Sequence, residues 1–547
     1  MIAARGAFFS FPKPRKSANF PWMLGNPPDP RPVPGGRRWP AWALLLAVAL
    51  VYANALTGPF FLDDRESIVD NPAIRELWPL SKALDPPPLD MTFYTRPFIN
   101  LTMCVNYALG GLKTTGYRVF NVALHLAAVL ALYGLVRRTL QGAGRPESEA
   151  RILSFFSALI WAVHPLNTAA VNYLSQRGEL GVGLFFFLTL YGLRRAVAGV
   201  PSRGADDEGS ARRWLVFSFL VCLLGMGSKE AMAATPILAA VYDRLFLSAS
   251  WKQVFRARGG FYLLLLSTLV WPVSRQLAYS PHVPEQGFIP LAYWRYPLAQ
   301  AWGLVRMIHL AVWPHPLILD YGTEMPTGVG QVWLHALLVL LALLATGWAL
   351  KHRPRAGFVG LCFFALLAPS SSFIPVVGQP VAEHRWYAPL AAPVLLTVLG
   401  LAEFARARGH APSGGPSRLF PACMAGWALL LGLATHARNM AYHDEVALWR
   451  DTITKRPGNG RAWNNLGFAL RAKGRDEEAL GAYRKALRLK PTQARTQNNV
   501  ANTLCSLNRD AESLPYYHEA IRLDPTFAPT YVNYGFALSR LNRNEEA

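Results

Sequence analysis

Long apolar runs separated by short polar segments dominate residues 39–438. A transmembrane helix needs about 20 mostly apolar residues. The two apolar stretches at 97–112 and 297–314 are interpreted as helices that lie on the external membrane surface. The pattern elsewhere predicts eleven membrane spans, at 39–56, 117–135, 152–168, 180–193, 214–227, 231–247, 260–276, 330–350, 356–375, 386–404 and 419–437.

From about residue 443 the apolar runs stop and similar residues recur every 34 positions. The recurring sets are Trp463, Gln497 and Tyr531; Gly467, Ala501 and Gly535; Tyr483 and Tyr517; Ala486 and Ala520; and Pro491 and Pro525. This pattern is typical of the tetratricopeptide repeat, whose small residues let paired helices pack closely. The third repeat stops in mid-pattern at Ala547, so we expect either a longer chain or a partner over this end.

The two patterns predict an all-α protein with a polytopic membrane region followed by an α-solenoid. The predicted parts are a Pro-rich, basic, disordered cytoplasmic tail (1–38), a membrane domain (39–438) with an external loop at 57–116, and the repeats (439–547). Hydrophobic residues make up 52% of the 547 and charged residues only 16%, against about 25% in soluble domains. This composition argues against an ordinary soluble enzyme. The five cysteines form no CxxC pair, which excludes a disulfide framework and a cysteine zinc site.

The distribution of charge predicts the orientation of the spans. A net charge of +22 can indicate either nucleic-acid binding or basic cytoplasmic loops of a membrane protein. The second interpretation is favoured, because six basic segments fall on one side of the predicted membrane. These segments are 1–38, 136–151, 194–213, 248–259, 351–355 and 405–418. In the external loop 57–116, seven acids outnumber the basic residues. The N-terminus is therefore expected in the cytoplasm and the repeats outside it.

Two adjacent carboxylates, Asp63 and Asp64, follow the first predicted span. Carboxylates at a bilayer surface are costly unless they are hydrated, paired or used. Taken alone, an Asp-Asp pair is more simply the start of an acidic loop. Other ionisable side chains at the external ends of spans change that balance towards a functional site: Arg96, His125, His164, Arg177, Glu179, Lys229, Glu230, Asp320, Glu383 and Arg385. Each has a structural alternative, such as a satisfied core histidine or a local ion pair.

The order of these motifs resembles a known family. The chain contains F-L-D-D (61–64), T-R-P-F (95–98), N-x-x-x-H-L (121–126), H-P-L-N-T-A-A-V (164–171), R-G-E-L (177–180), S-K-E (228–230), L-D-Y (319–321) and E-H-R-W-Y (383–387), followed by the repeats. This combination is similar to the transmembrane and tetratricopeptide repeat-containing O-mannosyltransferases and their bacterial relatives, in the GT-C superfamily of membrane glycosyltransferases. The resemblance implies an active site on the non-cytoplasmic side and a polyprenyl-phosphate-linked sugar as donor. It also places the family's acidic motif on Asp63 and Asp64.

The residue types suit that chemistry. A carboxylate would take the proton of the acceptor hydroxyl, and we expect Asp64 or Asp63 to do so. An inverting transfer needs one such carboxylate. The leaving phosphate needs cations, for which Arg96, Arg177, Lys229 and Arg385 are the candidates. His125, His164, Glu179, Glu230, Asp320 and Glu383 are expected to support them. No metal site is predicted, although the sequence leaves open whether the two aspartates hold a divalent cation.

The expected function is therefore transfer of a sugar, with mannose favoured, from a polyprenyl-phosphate donor to a hydroxyl of a protein or other acceptor. The repeats would bind the acceptor, and the expected location is a bacterial inner membrane. The alternatives are a non-enzymatic scaffold that gathers partners on its repeats, and a transporter. A scaffold has little use for many external ionisable groups. A transporter favours ionisable groups at the bilayer midplane, which the sequence does not show clearly.

Overall fold

The computed structural model of the protein describes residues 38–86, 93, 95–198, 205–279, 290–369, 378–408 and 419–547. These residues form α-helices joined by loops and short 3-10 or π turns, and they contain no β-strand. The all-α fold class is thus confirmed. The predicted N-terminal tail lies outside the described residues apart from Arg38, as do parts of the predicted segments 356–375 and 405–418.

Sixteen α-helices precede the repeats in the described part of the chain. They are α1 (Trp39–Tyr52), α2 (Leu80–Leu84), α3 (Pro97–Gly110), α4 (Thr114–Gly142), α5 (Glu147–Ala162), α6 (Thr168–Asn172), α7 (Arg177–Ala198), α8 (Ala205–Met226), α9 (Thr235–Phe246), α10 (Trp251–Ser267), α11 (Val270–Tyr279), α12 (Pro290–Val312), α13 (Trp333–His352), α14 (Pro354–Ala368), α15 (Ala391–Ala407) and α16 (Leu419–Met440).

Six helical segments among the described residues are long and apolar enough to cross a membrane. They are Trp39–Leu56, Thr114–Gly142, Leu174–Val197, Gly209–Met226, Trp333–His352 and Leu419–His443. The pair Glu147–Ala162 and Pro165–Asn172, bent by 51°, makes a seventh if it is one span. The predicted number of eleven is not confirmed. Helices α9, α10, α14 and α15 lie at predicted spans but have 12, 17, 15 and 17 residues.

The centre of the bundle is built around Tyr387, just before α15. Its backbone carbonyl accepts a hydrogen bond from Trp161 Nε1 (2.9 Å), and its hydroxyl bonds His125 Nδ1 (2.8 Å). Gly183 on α7 allows this ring to approach, since a Cβ there would lie 2.5 Å from Tyr387 Cε1. Anchoring Tyr387 in the core holds the preceding Glu383–Trp386 turn at the end of the bundle.

The repeat region forms six helices in described residues 445–540. They are α17 (Glu445–Lys455), α18 (Gly460–Arg471), α19 (Asp476–Leu489), α20 (Ala494–Ser506), α21 (Asp510–Leu523) and α22 (Ala528–Arg540). Paired helices pack through the recurring small residues: a Cβ at Gly467 would lie 2.7 Å from Tyr483 Cε1. Asp444 and Asn459 cap α17 and α18 by accepting from backbone N–H groups.

The first repeat helices share a hydrophobic core with the membrane region. Trp449 of α17 belongs to the same buried cluster as Phe61, Tyr173 and Tyr442. The ring of Phe61 stacks on Tyr173, with centroids 5.0 Å apart, and lies 5.6 Å from Tyr442. The start of the solenoid is therefore packed against the turn that contains the two adjacent aspartates.

Candidate active site

The turn after the first predicted span sends Asp63 and Asp64 in different directions. Leu62 has a φ of 52°, a left-handed conformation that is uncommon for a residue with a branched side chain. The turn is closed by Asp64 N–H donating to Phe61 O (3.1 Å) and Arg65 N–H donating to Leu62 O (3.1 Å). As a result Asp63 is exposed, whereas Asp64 is completely buried.

Asp64 is held inside by backbone donors. Its Oδ1 accepts from Ser175 N–H (2.7 Å), and its Oδ2 accepts a longer bond from Phe61 N–H (3.5 Å). Burial raises the pKa of Asp64 to about 7, although these N–H groups and the nearby Arg118 guanidinium act in the opposite direction. A substrate hydroxyl does not reach this carboxylate in the observed conformation. The geometry favours a structural role for Asp64.

Asp63 lies beside Tyr173. The backbone N–H of Asp63 donates to Tyr173 Oη (3.2 Å). The edge of the Tyr173 ring meets His384, with centroids 6.2 Å apart and planes at 81°. The backbone of Asp63 is thus linked through one aromatic side chain to the Glu383–Trp386 turn. Of the two adjacent aspartates, Asp63 is the one whose side chain is exposed.

Three of the four predicted phosphate partners act electrostatically on His384. Burial first, and then the positive charges of Lys229, Arg385 and Arg96, lower the pKa of His384 well below its ordinary value. The imidazole is therefore neutral at neutral pH. Because all three cations act on one buried ring, they lie in one electrostatic cluster next to Tyr173.

Two carboxylates orient these cations. Lys229 Nζ and Glu179 Oε1 form a buried ion pair at 2.7 Å. Arg96 Nη2 lies 3.5 Å from Glu230 Oε2. Burial acts to raise the pKa of Glu230, but Arg96, Lys229 and Arg385 outweigh it and hold that pKa below its usual range. Glu230 is therefore ionised.

Arg385 is positioned by backbone oxygens. It donates from Nη1 to Pro380 O (3.1 Å) and from Nη2 to Gln379 O (2.6 Å). Three cations facing two carboxylates, Glu179 and Glu230, leave one positive charge in excess among the described residues of the cluster. An anionic group is the ligand that such a cluster accommodates.

Arg177, the fourth predicted phosphate partner, is occupied elsewhere. It is completely buried, and its guanidinium donates to Asn121 Oδ1 (2.7 Å), Thr102 Oγ1 (3.1 Å) and Tyr117 O (3.2 Å). These bonds tie the start of α7 to α3 and α4. The geometry favours a structural role over phosphate contact for this residue.

The two predicted histidines also join helices. His125 Nε2 bonds Ala162 O (3.0 Å), which can only accept, so Nδ1 accepts from the Tyr387 hydroxyl. His164 Nε2 bonds Ala311 O (3.1 Å), and its Nδ1 accepts from Leu166 N–H (3.2 Å). Both rings have both nitrogens occupied by protein atoms. They support the scaffold and do not face the cluster around His384.

Asp320 and Glu383 anchor the loop that precedes α13. Glu383 Oε1 accepts from Ile318 N–H (2.7 Å) and from the Tyr321 hydroxyl (2.8 Å), and burial raises the pKa of this carboxyl. Both oxygens of Asp320 accept from Arg461, as Nε–Oδ2 and Nη2–Oδ1 pairs of 2.6 Å each. These two predicted supporting residues therefore act on the loop and on the repeats.

Three further residues of the candidate site, Tyr173, His384 and Arg461, were not predicted from the sequence. Burial acts to lower the pKa of Arg461, but Asp320 first, and then Asp63 and Tyr173, hold it above its ordinary value. Arg461 of α18 thus lies within electrostatic reach of Asp63. The available signals were weak: Tyr173 is the second residue after the H-P-L-N-T-A-A-V motif, and His384 interrupts a Glu-Arg pair.

The described residues hold no group of three His, Cys, Asp or Glu side chains that could bind a metal ion. The site combines the exposed Asp63 carboxylate, the Tyr173 phenol and a cluster of cations. It can accept a proton at Asp63 and hold an anion at the cluster.

Comparison with known proteins agrees with the repeat assignment. The family model described as Tetratricopeptide repeat matches residues 460–493, and a second with the same description matches 493–523. The chain is 25% identical to protein O-mannosyl-transferase TMTC4 of Mus musculus, over 81% of this chain and 66% of that protein. It is 25% identical to protein O-mannosyl-transferase Tmtc1 of Drosophila melanogaster, over 79% of this chain and 59% of that protein.

The human protein O-mannosyl-transferase TMTC4 is similar to the same extent, with 26% identity over 81% of this chain and 66% of that protein. The chain therefore spans about three fifths to two thirds of the length of these relatives. The similarity extends well beyond the repeats into the membrane region, since the matched repeats alone occupy residues 460–523. The chain is thus similar in sequence to the TMTC protein O-mannosyl-transferases, and it is an integral membrane protein with C-terminal tetratricopeptide repeats.

Proposed function

We propose that the protein is a membrane glycosyltransferase that transfers a sugar, with mannose favoured by its relatives' names, from a polyprenyl-phosphate donor to an acceptor hydroxyl. The observation that carries the proposal is the exposed Asp63 carboxylate beside Tyr173, next to a cluster of three cations around His384. A proton acceptor and an anion site are the two parts that this transfer needs.

Asp63 is the proposed base. The acceptor O–H gives its proton to the Asp63 carboxylate while its oxygen forms a bond to the anomeric carbon of the sugar. The bond from that carbon to the phosphate oxygen breaks, and polyprenyl phosphate leaves with the bonding electron pair. Attack opposite the leaving group inverts the anomeric carbon, so a single carboxylate suffices.

Arg96, Lys229 and Arg385 are the proposed partners of the donor phosphate. The leaving group is an anion already, and cations stabilise the charge that grows on it in the transition state. The contact between Arg96 and Glu230 is the longer of the two ion pairs in the cluster, at 3.5 Å against 2.7 Å. Arg96 is therefore the cation that exchanges its partner for phosphate most readily. Glu179 and Glu230 keep the cations in place between turnovers.

The repeats are proposed to bind the acceptor. Asn465, Asn499 and Asn533 recur at the 34-residue period on α18, α20 and α22, and each is partly exposed. Amide side chains can donate to and accept from the backbone of an extended peptide. Arg461, on the helix that begins this row, is the residue within electrostatic reach of Asp63. A peptide along the row would thus approach the proposed base.

The proposed topology places the N-terminus in the cytoplasm, and the site and the repeats on the other side of a bacterial inner membrane. It rests on the basic cytoplasmic segments of the sequence. The proposed reaction uses no metal ion.

The test is sugar transfer in reconstituted vesicles with polyprenyl-phosphate mannose as donor and a periplasmic extract as source of acceptors. Asp63→Asn should lower transfer by about 10² to 10⁴-fold while the protein stays folded. Asp70→Asn, at an exposed acid of the same loop, is the matched control and should retain transfer. Full activity of Asp63→Asn would remove this residue from catalysis. No transfer by the unmodified protein, across several donor sugars, would favour the scaffold alternative.

A further inference from the structure

A basic cavity of about 520 Å³ lies between the membrane region and the first repeat helix, apart from the proposed phosphate partners. It is lined by α12, by the loop that follows α12, by the start of α13, and by the end of α17 with the residue directly after it. The charged and aromatic residues among them are Trp302, Arg306, His309, His335, Lys455 and Arg456. None of the described residues that line it is acidic.

The two arginines in the cavity are held in place by neutral groups. Arg306 Nη2 donates to Pro316 O (3.1 Å). The guanidinium carbon of Arg456 lies 4.9 Å from the centre of the Trp302 ring and 5.8 Å from that of Tyr321. Among the described residues that line the cavity, the ion pair found is that of Lys455 with Asp451, and it involves neither arginine. Two uncompensated guanidinium groups in one cavity favour an anionic ligand that they bind together.

Two further lining residues, His335 and Lys455, add, within the described part of the chain, a buried nitrogen without a hydrogen-bond partner and a third cation. His335 Nδ1 is buried and has no hydrogen-bond partner among the described residues. Lys455 Nζ donates to Leu317 O (2.8 Å) and pairs with Asp451 Oδ2 (2.7 Å), which does not line the cavity. A phosphate oxygen is a partner that His335 and the arginines can share.

Exposed apolar side chains border the cavity. Val312 and Trp313, at the end of α12, are 72% and 65% exposed, and Trp333, at the start of α13, is 58% exposed. Helix α13 contains no fully buried residue, and exposed leucines run along it from Leu334 to Leu344. Tryptophans at the end of an apolar span are typical of the membrane–water interface. The cavity therefore opens at the depth of lipid headgroups.

We propose that this cavity binds the phosphate headgroup of an anionic membrane phospholipid, with Arg306 and Arg456 as its principal contacts. Basic pockets between membrane helices bind such headgroups. The cavity takes Arg306 from the membrane region and Arg456 from the segment directly after α17. The bound lipid thus joins the repeats to the membrane at a second place, separate from the Asp320–Arg461 pair. The inference does not depend on the transferase proposal, because binding is measured without turnover.

The test uses the full chain, purified in detergent and then titrated with phosphatidylglycerol, phosphatidylcholine or inorganic phosphate. Bound lipid is counted by native mass spectrometry, and the unfolding temperature is followed by tryptophan fluorescence. We expect phosphatidylglycerol to bind the protein and to raise its unfolding temperature, whereas phosphatidylcholine and inorganic phosphate should do neither. Arg306→Gln and Arg456→Gln should each weaken that binding about fivefold, and the double variant about 25-fold. Arg450→Gln, at an exposed arginine of α17, should bind as the unmodified protein does.

Three results would overturn the proposal. Equal stabilisation by inorganic phosphate would make the ligand a free phosphate and not a lipid. Unchanged phosphatidylglycerol binding in the double variant would place the lipid elsewhere. If a parallel titration with polyprenyl phosphate showed that the double variant loses this lipid but keeps phosphatidylglycerol, the cavity would be part of the donor site. The unfolding temperature without lipid shows whether Arg456→Gln folds, and Arg306→Gln, which leaves the ring contacts of Arg456 in place, repeats the test independently.

Discussion

Arg461 of the first repeat donates two hydrogen bonds to the Asp320 carboxylate of the membrane region, from Nε to Oδ2 and from Nη2 to Oδ1, both 2.6 Å long. The carboxylate side chain is only 4% exposed, so the pair is shielded from water on one side. Asn459 Nδ2 adds a bond to Asp320 O (3.0 Å). The solenoid is therefore fixed to the loop that also contacts Glu383, and its orientation relative to Asp63 follows from this contact.

Breaking this pair should loosen the repeats. Arg461→Gln or Asp320→Asn leaves one charge unpaired in a largely buried place, and each should destabilise the protein by about 3 kcal/mol. Limited proteolysis should then cleave between α16 and α18 more readily. The double variant should recover part of the loss, because neither charge is left without its partner. Arg475→Gln, in an exposed pair with Glu478, is the control and should leave stability almost unchanged, because water screens an exposed ion pair. Strictly additive losses would show that the two side chains are not coupled.

Asp64 should make the stability of the protein depend on pH. Its pKa is about 7 in the folded protein against an ordinary value of 3.8, so the folded state binds the proton more tightly than the unfolded chain. The resulting stabilisation is fully present below about pH 4 and is lost as the pH rises through 7. Asp64→Asn, which stays neutral, should therefore gain on the order of 4 kcal/mol relative to the unmodified protein between pH 4 and 8.

Denaturant unfolding of both proteins across this pH range checks the prediction. Asp70→Asn serves as the control: because its side chain is exposed, its stability relative to the unmodified protein should not change in this way with pH. A constant difference between Asp64→Asn and the unmodified protein would mean that the buried carboxyl titrates as it does in the unfolded chain.

Substitutions of Arg96 and Arg177 should have different effects, one on binding of the lipid donor and the other on the stability of the fold. Arg177→Lys loses the fork that reaches Asn121, Thr102 and Tyr117, and should destabilise the protein by about 2–4 kcal/mol. Arg96→Gln should leave the fold intact and raise the KM for the lipid donor about tenfold or more. The two quantities are measured as the unfolding midpoint and as donor titrations of transfer. The assignment of roles would be reversed if Arg177→Lys raised KM without loss of stability.

The repeat packing can be tested with two glycines of neighbouring helices. Gly467→Ala puts a methyl group 2.7 Å from the Tyr483 ring, and should destabilise the array by about 1–3 kcal/mol. Gly481→Ala on α19 meets nothing within 4 Å and should stabilise it by about 0.5–1 kcal/mol. Thermal unfolding followed by circular dichroism compares them. Equal effects of the two substitutions would argue against the close packing described at Gly467.

Chelation should not abolish transfer. The proposed step needs a base at Asp63 and cations at the phosphate, and neither role is assigned to a metal ion. Transfer in vesicles washed with EDTA is expected to stay within about twofold of the untreated rate. A loss that Mg²⁺ or Mn²⁺ restores would instead assign a cation to Asp63 and the donor phosphate.

Local patterns in the sequence determine much of this protein. Apolar runs define the main helices of the membrane region, because burial in lipid demands them, and the 34-residue period defines the repeats, because each helix pair needs the same small and aromatic positions. The motifs also single out the segments that meet at the site: the Asp63–Asp64 turn, Arg96, Lys229 and the Glu383–Trp386 turn all lie in it or beside it.

Only the tertiary structure decided which of these residues face the site. Asp63 and Asp64 are neighbours, yet the left-handed backbone at Leu62 and a bond to Ser175, 111 residues away, turn one outward and the other inward. Arg177, His125 and His164 matched the expected chemistry but are occupied by partners on other helices. Arg461 reaches Asp320 across 141 residues. Such contacts form between segments far apart in the chain, and depend on how the helices pack, which the local pattern of polar and apolar residues does not encode.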